Sequence, residues 1–252
     1  MSHSWGRGRS PERSTRPASR LLSGPVAATV GAVDSLDRVT AEVVACDACP
    51  RLVAWREQVA VEKRASFRDE TYWGRPVPGF GDPAARVLVV GLAPAAHGGN
   101  RTGRVFTGDR SGDWVFRALW KAGYANQPTS VDADDGLLLT GAYVAAVVRC
   151  APPANKPTPA ERDQCLGYLR RELAVLDQVK VIVVLGQFAL DGVSRLYRLR
   201  PRPKFGHLAE HVLPDGRTLL CSYHPSQQNT FTGVLTEPAF DAVFTRARDL
   251  AG

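Results

Sequence analysis

The sequence predicts an α/β protein: a three-layer α/β/α sandwich around a central, mostly parallel sheet. Three observations predict it. Residues 86–90 (Arg-Val-Leu-Val-Val), 142–148 and 180–185 are short, nearly unbroken apolar runs. That is the pattern of strands buried on both faces, as in a parallel sheet. Helix-like stretches follow these runs, and alternation of this kind builds layered α/β folds. Gly91, Cys150 and Gly186 come at or just after the ends of these runs, where such sheets place their functional loops.

Along the chain, residues 1–32 lack periodicity and carry five Arg against one Glu. They are expected to form a basic, disordered tail ahead of a single domain over 33–252. A helix begins near Asp34 or Ser35, with Leu36, Val39 and Val43 on one face, and runs into Cys46. Residues 71–83 read as a loop from their Pro and Gly. After the first strand, 111–124 reads as a helix with Val115, Leu119 and Ala122 inward. A Pro-rich loop follows the second strand over 151–159. Thr158 and Glu161 form a capping box with Pro159 at the first helical position, and the helix they start carries Cys165. Residues 187–197 are helical. Residues 212–223 form a hairpin about Pro214-Asp215-Gly216 and lead to His224. A closing helix over 238–250 sets Phe240, Val243, Phe244 and Ala247 at helical spacing.

The net charge is +7, of which the tail carries +4, so the basic balance points only weakly to nucleic acid. No apolar run reaches the roughly 18–20 residues that span a bilayer, and no secretory segment follows Met1. A soluble, cytoplasmic protein is expected, in which cysteines serve as ligands before disulfides. Cys46 and Cys49, with Cys150 and Cys165, make a four-thiolate set that suits zinc or an iron–sulfur cluster; their spacing does not choose. Cys221 reads as a buried strand residue.

Two loops carry the candidate chemistry. Residues 91–109 are Gly-rich and include Phe106 and Asp109. The glycines let a ligand approach the backbone, but no Gly-Lys-Ser/Thr ending follows, which argues against a nucleotide P-loop. Phe106 suits stacking on a base. Asp109 reads as a catalyst or a helix cap, with Asp113 competing for either role, and His97 as an incidental loop residue. Residues 224–233 combine His224 and Phe231 with the amides of Gln227, Gln228 and Asn229.

Together these motifs resemble the uracil-DNA glycosylase superfamily, specifically its iron–sulfur family 5, or B-type, branch. The resemblance covers roughly residues 40–250. It rests on Gly91 to Pro94, on Gly103-Arg104 with Phe106-Thr107-Gly108-Asp109, on Arg149-Cys150 before Pro152-Pro153, on His224-Pro225-Ser226, and on the order of the four cysteines. It implies a structural [4Fe–4S] cluster held by Cys46, Cys49, Cys150 and Cys165. Better-known branches carry a polar, water-handling residue where Leu92 or Ala93 stands, and family 4 an Asn at the place of Ala146. Those departures move the polar work to Asp109 and Asn155 and remove a uracil-selective amide.

The implied function is a monofunctional DNA repair glycosylase. It would flip a deaminated or adducted base and hydrolyse its N-glycosidic bond, leaving an abasic site. Candidate substrates are uracil, hypoxanthine, xanthine, ethenocytosine and mispaired thymine. Asp109, His224 and Asn155 are the candidate catalytic residues. Ala93, Pro94, Ala95, Phe106, Gln227 and Asn229 are the candidate substrate contacts. The partner is damaged DNA, met by a monomer in a bacterial nucleoid. The alternatives are a non-catalytic nucleic-acid-binding module with a structural metal, and a redox protein using the cluster.

Overall fold

The computed structural model describes residues 34–252, so the expected tail lies outside the described residues. The architecture is the predicted three-layer sandwich. Helix α1 (Leu36–Val44) is capped by Ser35, whose hydroxyl accepts from the Arg38 amide at 3.2 Å. Asp34, the other expected cap, instead takes the Arg171 guanidinium at 2.7 Å. After Cys49 comes a helix the sequence reading left out, α2 (Pro50–Glu62), with proline at its start. The expected loop 71–83 holds a two-residue strand, β1 (Phe80–Gly81), near its end. Then follow β2 (Val87–Gly91), α3 (Gly99–Thr102), α4 (Arg110–Lys121) and β3 (Ala142–Ala146). The chain continues through α5 (Pro159–Val175), β4 (Val181–Leu185) and α6 (Gln187–Leu196). The hairpin is β5 (Glu210–Val212) with β6 (Thr218–Ser222). The loop expected after His224 contains a short helix, α7 (Gln227–Phe231), and α8 (Glu237–Ala251) closes the chain.

Both halves of the predicted capping box are present at α5: Thr158 accepts from the Glu161 amide, and Glu161 from the Thr158 amide. The sheet order is β1-β3-β2-β4-β6-β5, with the four central strands parallel and both edges antiparallel. Alternation along each central strand divides the core. Val87 and Val89 face α4 and α8, packing with Phe116, Phe240 and Phe244. Leu88 and Val90 face the other way, with Leu52, Leu169, Leu190 and Cys221. The bland reading of Cys221 therefore matches its place in the core.

The chain runs from β2 to β3 on one side, then to β4 on the other side of β2. This reversal opens a crevice at the carboxyl ends of the strands. No helix among the described residues is long and apolar enough to cross a membrane.

Candidate active site

A cleft of about 700 Å³ lies at this end of the sheet. Segments after β2, β3 and β6 wall it, and Asp109, Asn155, His224, Phe106, Ala93, Ala95 and Gln227 all line it. Two of the predicted contacts do not. Pro94 packs beneath Gly99. The Asn229 side chain turns inward and donates to the His224 carbonyl at 2.8 Å, so its observed place is support of the histidine.

Asp109 is both helix cap and cleft residue. One carboxylate oxygen accepts from the Gly112 amide at 3.0 Å and so caps α4. Burial raises its pKa above the ordinary carboxylate value, and the Gly112 and Ser111 amides oppose that shift. Asp113 lies in the first turn of α4 and is not among the cleft-lining residues.

Phe106 holds a left-handed backbone, φ 55°, which a bulky residue adopts only under constraint. Two glycines make room for it. The ring lies against Gly91 and the carbonyl against Gly112, and a Cβ at either glycine would collide with it. A buried polar network braces the same loop. Arg104 donates to both carboxylate oxygens of Asp135 at 2.7 Å, to Ser130 at 2.7 Å and to Thr107 at 3.0 Å. Asp135→Ala would strand a buried guanidinium. It should lower unfolding stability by about 3 kcal/mol in urea titrations; an unchanged midpoint would show that the clamp does not hold this loop.

His224 follows β6, and its ring centroid lies 6.1 Å from that of Phe106. Burial lowers its pKa to about 4, so the imidazole is neutral near pH 7 and offers an N–H donor without a charge. The unfolded chain takes up this proton near pH 6.5. The contribution of His224 to stability is therefore intact above that value and falls away between pH 6.5 and about 4. Acid titration of His224→Gln should show a shallower loss of stability over that window than the parent does.

Asn155 and its neighbour Ala154 are both left-handed, φ 55° and 52°, and this turn brings Asn155 to the cleft. The sequence reading missed the outer wall, made by Arg64 and Phe67. It also missed Arg101. That guanidinium sits 4.1 Å over the Phe67 ring and donates to Glu70, to the His97 carbonyl at 2.9 Å and to the Gly108 carbonyl at 3.1 Å. His97 lines the cleft and lies 3.1 Å from the Tyr72 hydroxyl.

The four candidate thiols line one small buried cavity between α2 and α5. Arg56 donates to the Cys150 sulfur at 3.1 Å and to the Cys46 carbonyl at 3.2 Å. Arg149 lines the same cavity at 1% exposure; it pairs with Glu172, while its Nε and Nη1 have no partner. Among the described residues no three His, Cys, Asp or Glu are close enough to hold one metal ion. At the same residue of α2, the buried Asn100 amide donates to the Arg56 carbonyl at 3.1 Å.

A family model described as the Uracil DNA glycosylase superfamily matches residues 78–248. Fold and match together define the class: a hydrolase acting on N-glycosyl bonds. The chain is 52% identical over 225 residues to the type-5 uracil-DNA glycosylase of Mycobacterium tuberculosis, covering 88% of this chain and 84% of that one. It is 54% identical over 211 residues to the type-5 enzyme of Thermus thermophilus, covering 83% and 95%. The type-4 enzyme of Archaeoglobus fulgidus is 29% identical over 168 residues, covering 66% and 67%. The chain belongs to the type-5 uracil-DNA glycosylases of this superfamily.

Proposed function

We propose that this protein excises uracil, and other deaminated or adducted bases, from DNA and leaves an abasic site. The observation that carries this reading is the meeting of Asp109, Asn155, His224 and Phe106 in one cleft. The N-glycosidic bond is inaccessible inside the stack, so the base must be flipped into that cleft. Phe106, held against Gly91, offers a ring face to it. As the bond breaks, the sugar gains positive charge and the base negative charge. Asp109 holds the attacking water and faces the cation. The neutral His224 N–H and the backbone N–H groups of Ala93 and Ala95 face the departing base. Asn155 assists from the loop after β3. On α7, Gln227 contacts the substrate and Phe231 enters the groove. Phe231 is exposed and lies beneath the Arg110 guanidinium at 4.3 Å.

Specificity is broad on this reading because Ala146 stands where an Asn would read uracil. A site with fewer hydrogen bonds to the base discriminates less. A panel of oligonucleotides carrying uracil, hypoxanthine, xanthine, ethenocytosine or mispaired thymine, cleaved with alkali after incubation, tests both points. Cleavage at uracil and at several other lesions is expected, narrowing toward uracil in Ala146→Asn. Cleavage at none would refute the glycosylase reading; cleavage at uracil alone would refute the broad one.

Cys46, Cys49, Cys150 and Cys165 would hold a [4Fe–4S] cluster, whose contribution is structural. All four line the same cavity, and four cysteine thiolates are the usual ligand set of such a cluster. The partnerless Arg149 nitrogens and the Arg56 contact suit a net anionic occupant.

A further inference from the structure

A second cleft, of about 570 Å³, opens between α5 and α6. Arg170, Arg195, Arg198, Arg200 and Arg202 line it, against the carboxylates of Asp163 and Asp191. Arg195 is paired with Asp163 at 2.7 Å, and Arg202 stands 3.8 Å from Asp191. Among the described residues Arg170, Arg198 and Arg200 have no carboxylate within 4.0 Å. Ser194 also lines the cleft; it is 3% exposed, and its hydroxyl has no hydrogen-bond partner. A buried hydroxyl left unpaired is unfavourable, and an anionic oxygen seated there would satisfy it.

We propose that this cleft is a phosphate-binding site that holds the backbone of the DNA strand flanking the base under repair. Arginine forks match phosphate oxygens, and their distribution over two helices and the following loop suits a chain of phosphates better than one compact anion. Basic groups connect the two clefts. Asn155 lines the base cleft, and Arg51 donates to the carbonyl of the next residue, Lys156, at 3.2 Å. Further along α5, Arg162 and Arg195 both donate to Asp163, which lines the arginine cleft. Arg51 is paired with Glu161 at 2.6 Å. The net positive charge that a strand leaving the base cleft past Asn155 would meet is that of Lys156 and of the two arginines that share Asp163.

The proposal rests on DNA as the partner, but its test does not require base excision. Binding of undamaged short and long oligonucleotides is measured by fluorescence anisotropy across a salt series, for the parent and for a variant carrying Arg170→Gln, Arg198→Gln and Arg200→Gln. Each lost phosphate contact lowers the slope of log affinity against log salt by about 0.7 to 0.9, so the slope on long DNA should fall by about 2 to 3. Affinity for the short oligonucleotide should be unchanged, as should single-turnover excision from a short uracil-containing oligonucleotide at saturation. An unaltered slope on long DNA would overturn the proposal. So would saturable, cleft-dependent binding of deoxyadenosine monophosphate or of polyglutamate with no change in the DNA slope; these outcomes would assign the cleft to a free nucleotide or to an acidic protein segment. If the parent binds DNA through this cleft yet excises no base, the glycosylase reading fails and this one stands.

Discussion

Asp109→Asn is expected to lower single-turnover excision of uracil by at least about 10²-fold while DNA binding survives. The substitution is chosen because Asp109 has two duties. Its oxygen accepts from the Gly112 amide and caps α4, and the Asn carbonyl can accept the same bond. Only the charge is removed, so a loss of rate reports on the sugar cation. Asp109→Ala removes the cap as well and should add about 1 kcal/mol of destabilisation. A pH profile gives a second reading. Burial raises the Asp109 pKa, so activity in the parent should fall on the acid side at a pH above the usual carboxylate range. That limb should vanish from the residual activity of Asp109→Asn and persist in His224→Gln, since His224 titrates only near pH 4. Near-parental single-turnover rates in Asp109→Asn would transfer the role to Asn155, which lines the same cleft.

Cys165→Ala should cause the largest loss of stability. The purified parent is expected to be brown, with about four iron atoms per chain. The variant should lose the colour and the iron, and its thermal midpoint should drop sharply, because binding energy at such sites is folding energy. Cys221→Ala is the control. Cys221 is fully buried on β6, outside the four-cysteine cavity, so its loss should lower stability modestly and leave iron content unchanged. Stoichiometric zinc in place of iron, or full iron retained in Cys165→Ala, would refute the cluster assignment.

The parallel sheet was legible because strands covered on both faces must be apolar throughout, and such runs stand out. The start of α5 was legible for a local reason: Thr158, Pro159 and Glu161 are a helix N-terminus spelled in four residues. Helix α2 was not. Its buried positions are only Leu52, Arg56 and Val59, and the arginine is inside because of Cys150, about a hundred residues away. Helix α7 was hidden by its five residues, polar but for Phe231, although Ser226 caps it. In the cleft, Phe106, Asp109, Asn155 and His224 were named because they stand at strand ends or in recognisable motifs. Arg64 and Phe67 come from a segment without periodicity, and only the tertiary fold brings them to the cleft wall.

The contact between Asn100 and Arg56 joins the cysteine cavity to the cleft wall. Arg56 of α2 meets the cysteine cavity through its side chain and α3 through its carbonyl, and α3 follows His97 and Gly98 of the cleft wall. Leu52 of the same helix, with Cys150 and Cys165, also packs in the core layer against Leu88 and Val90 of β2. Damage at the cysteines is therefore expected to loosen the cleft wall and one face of the sheet together. A cell would meet an oxidised molecule as a silent enzyme and a failing fold at the same moment.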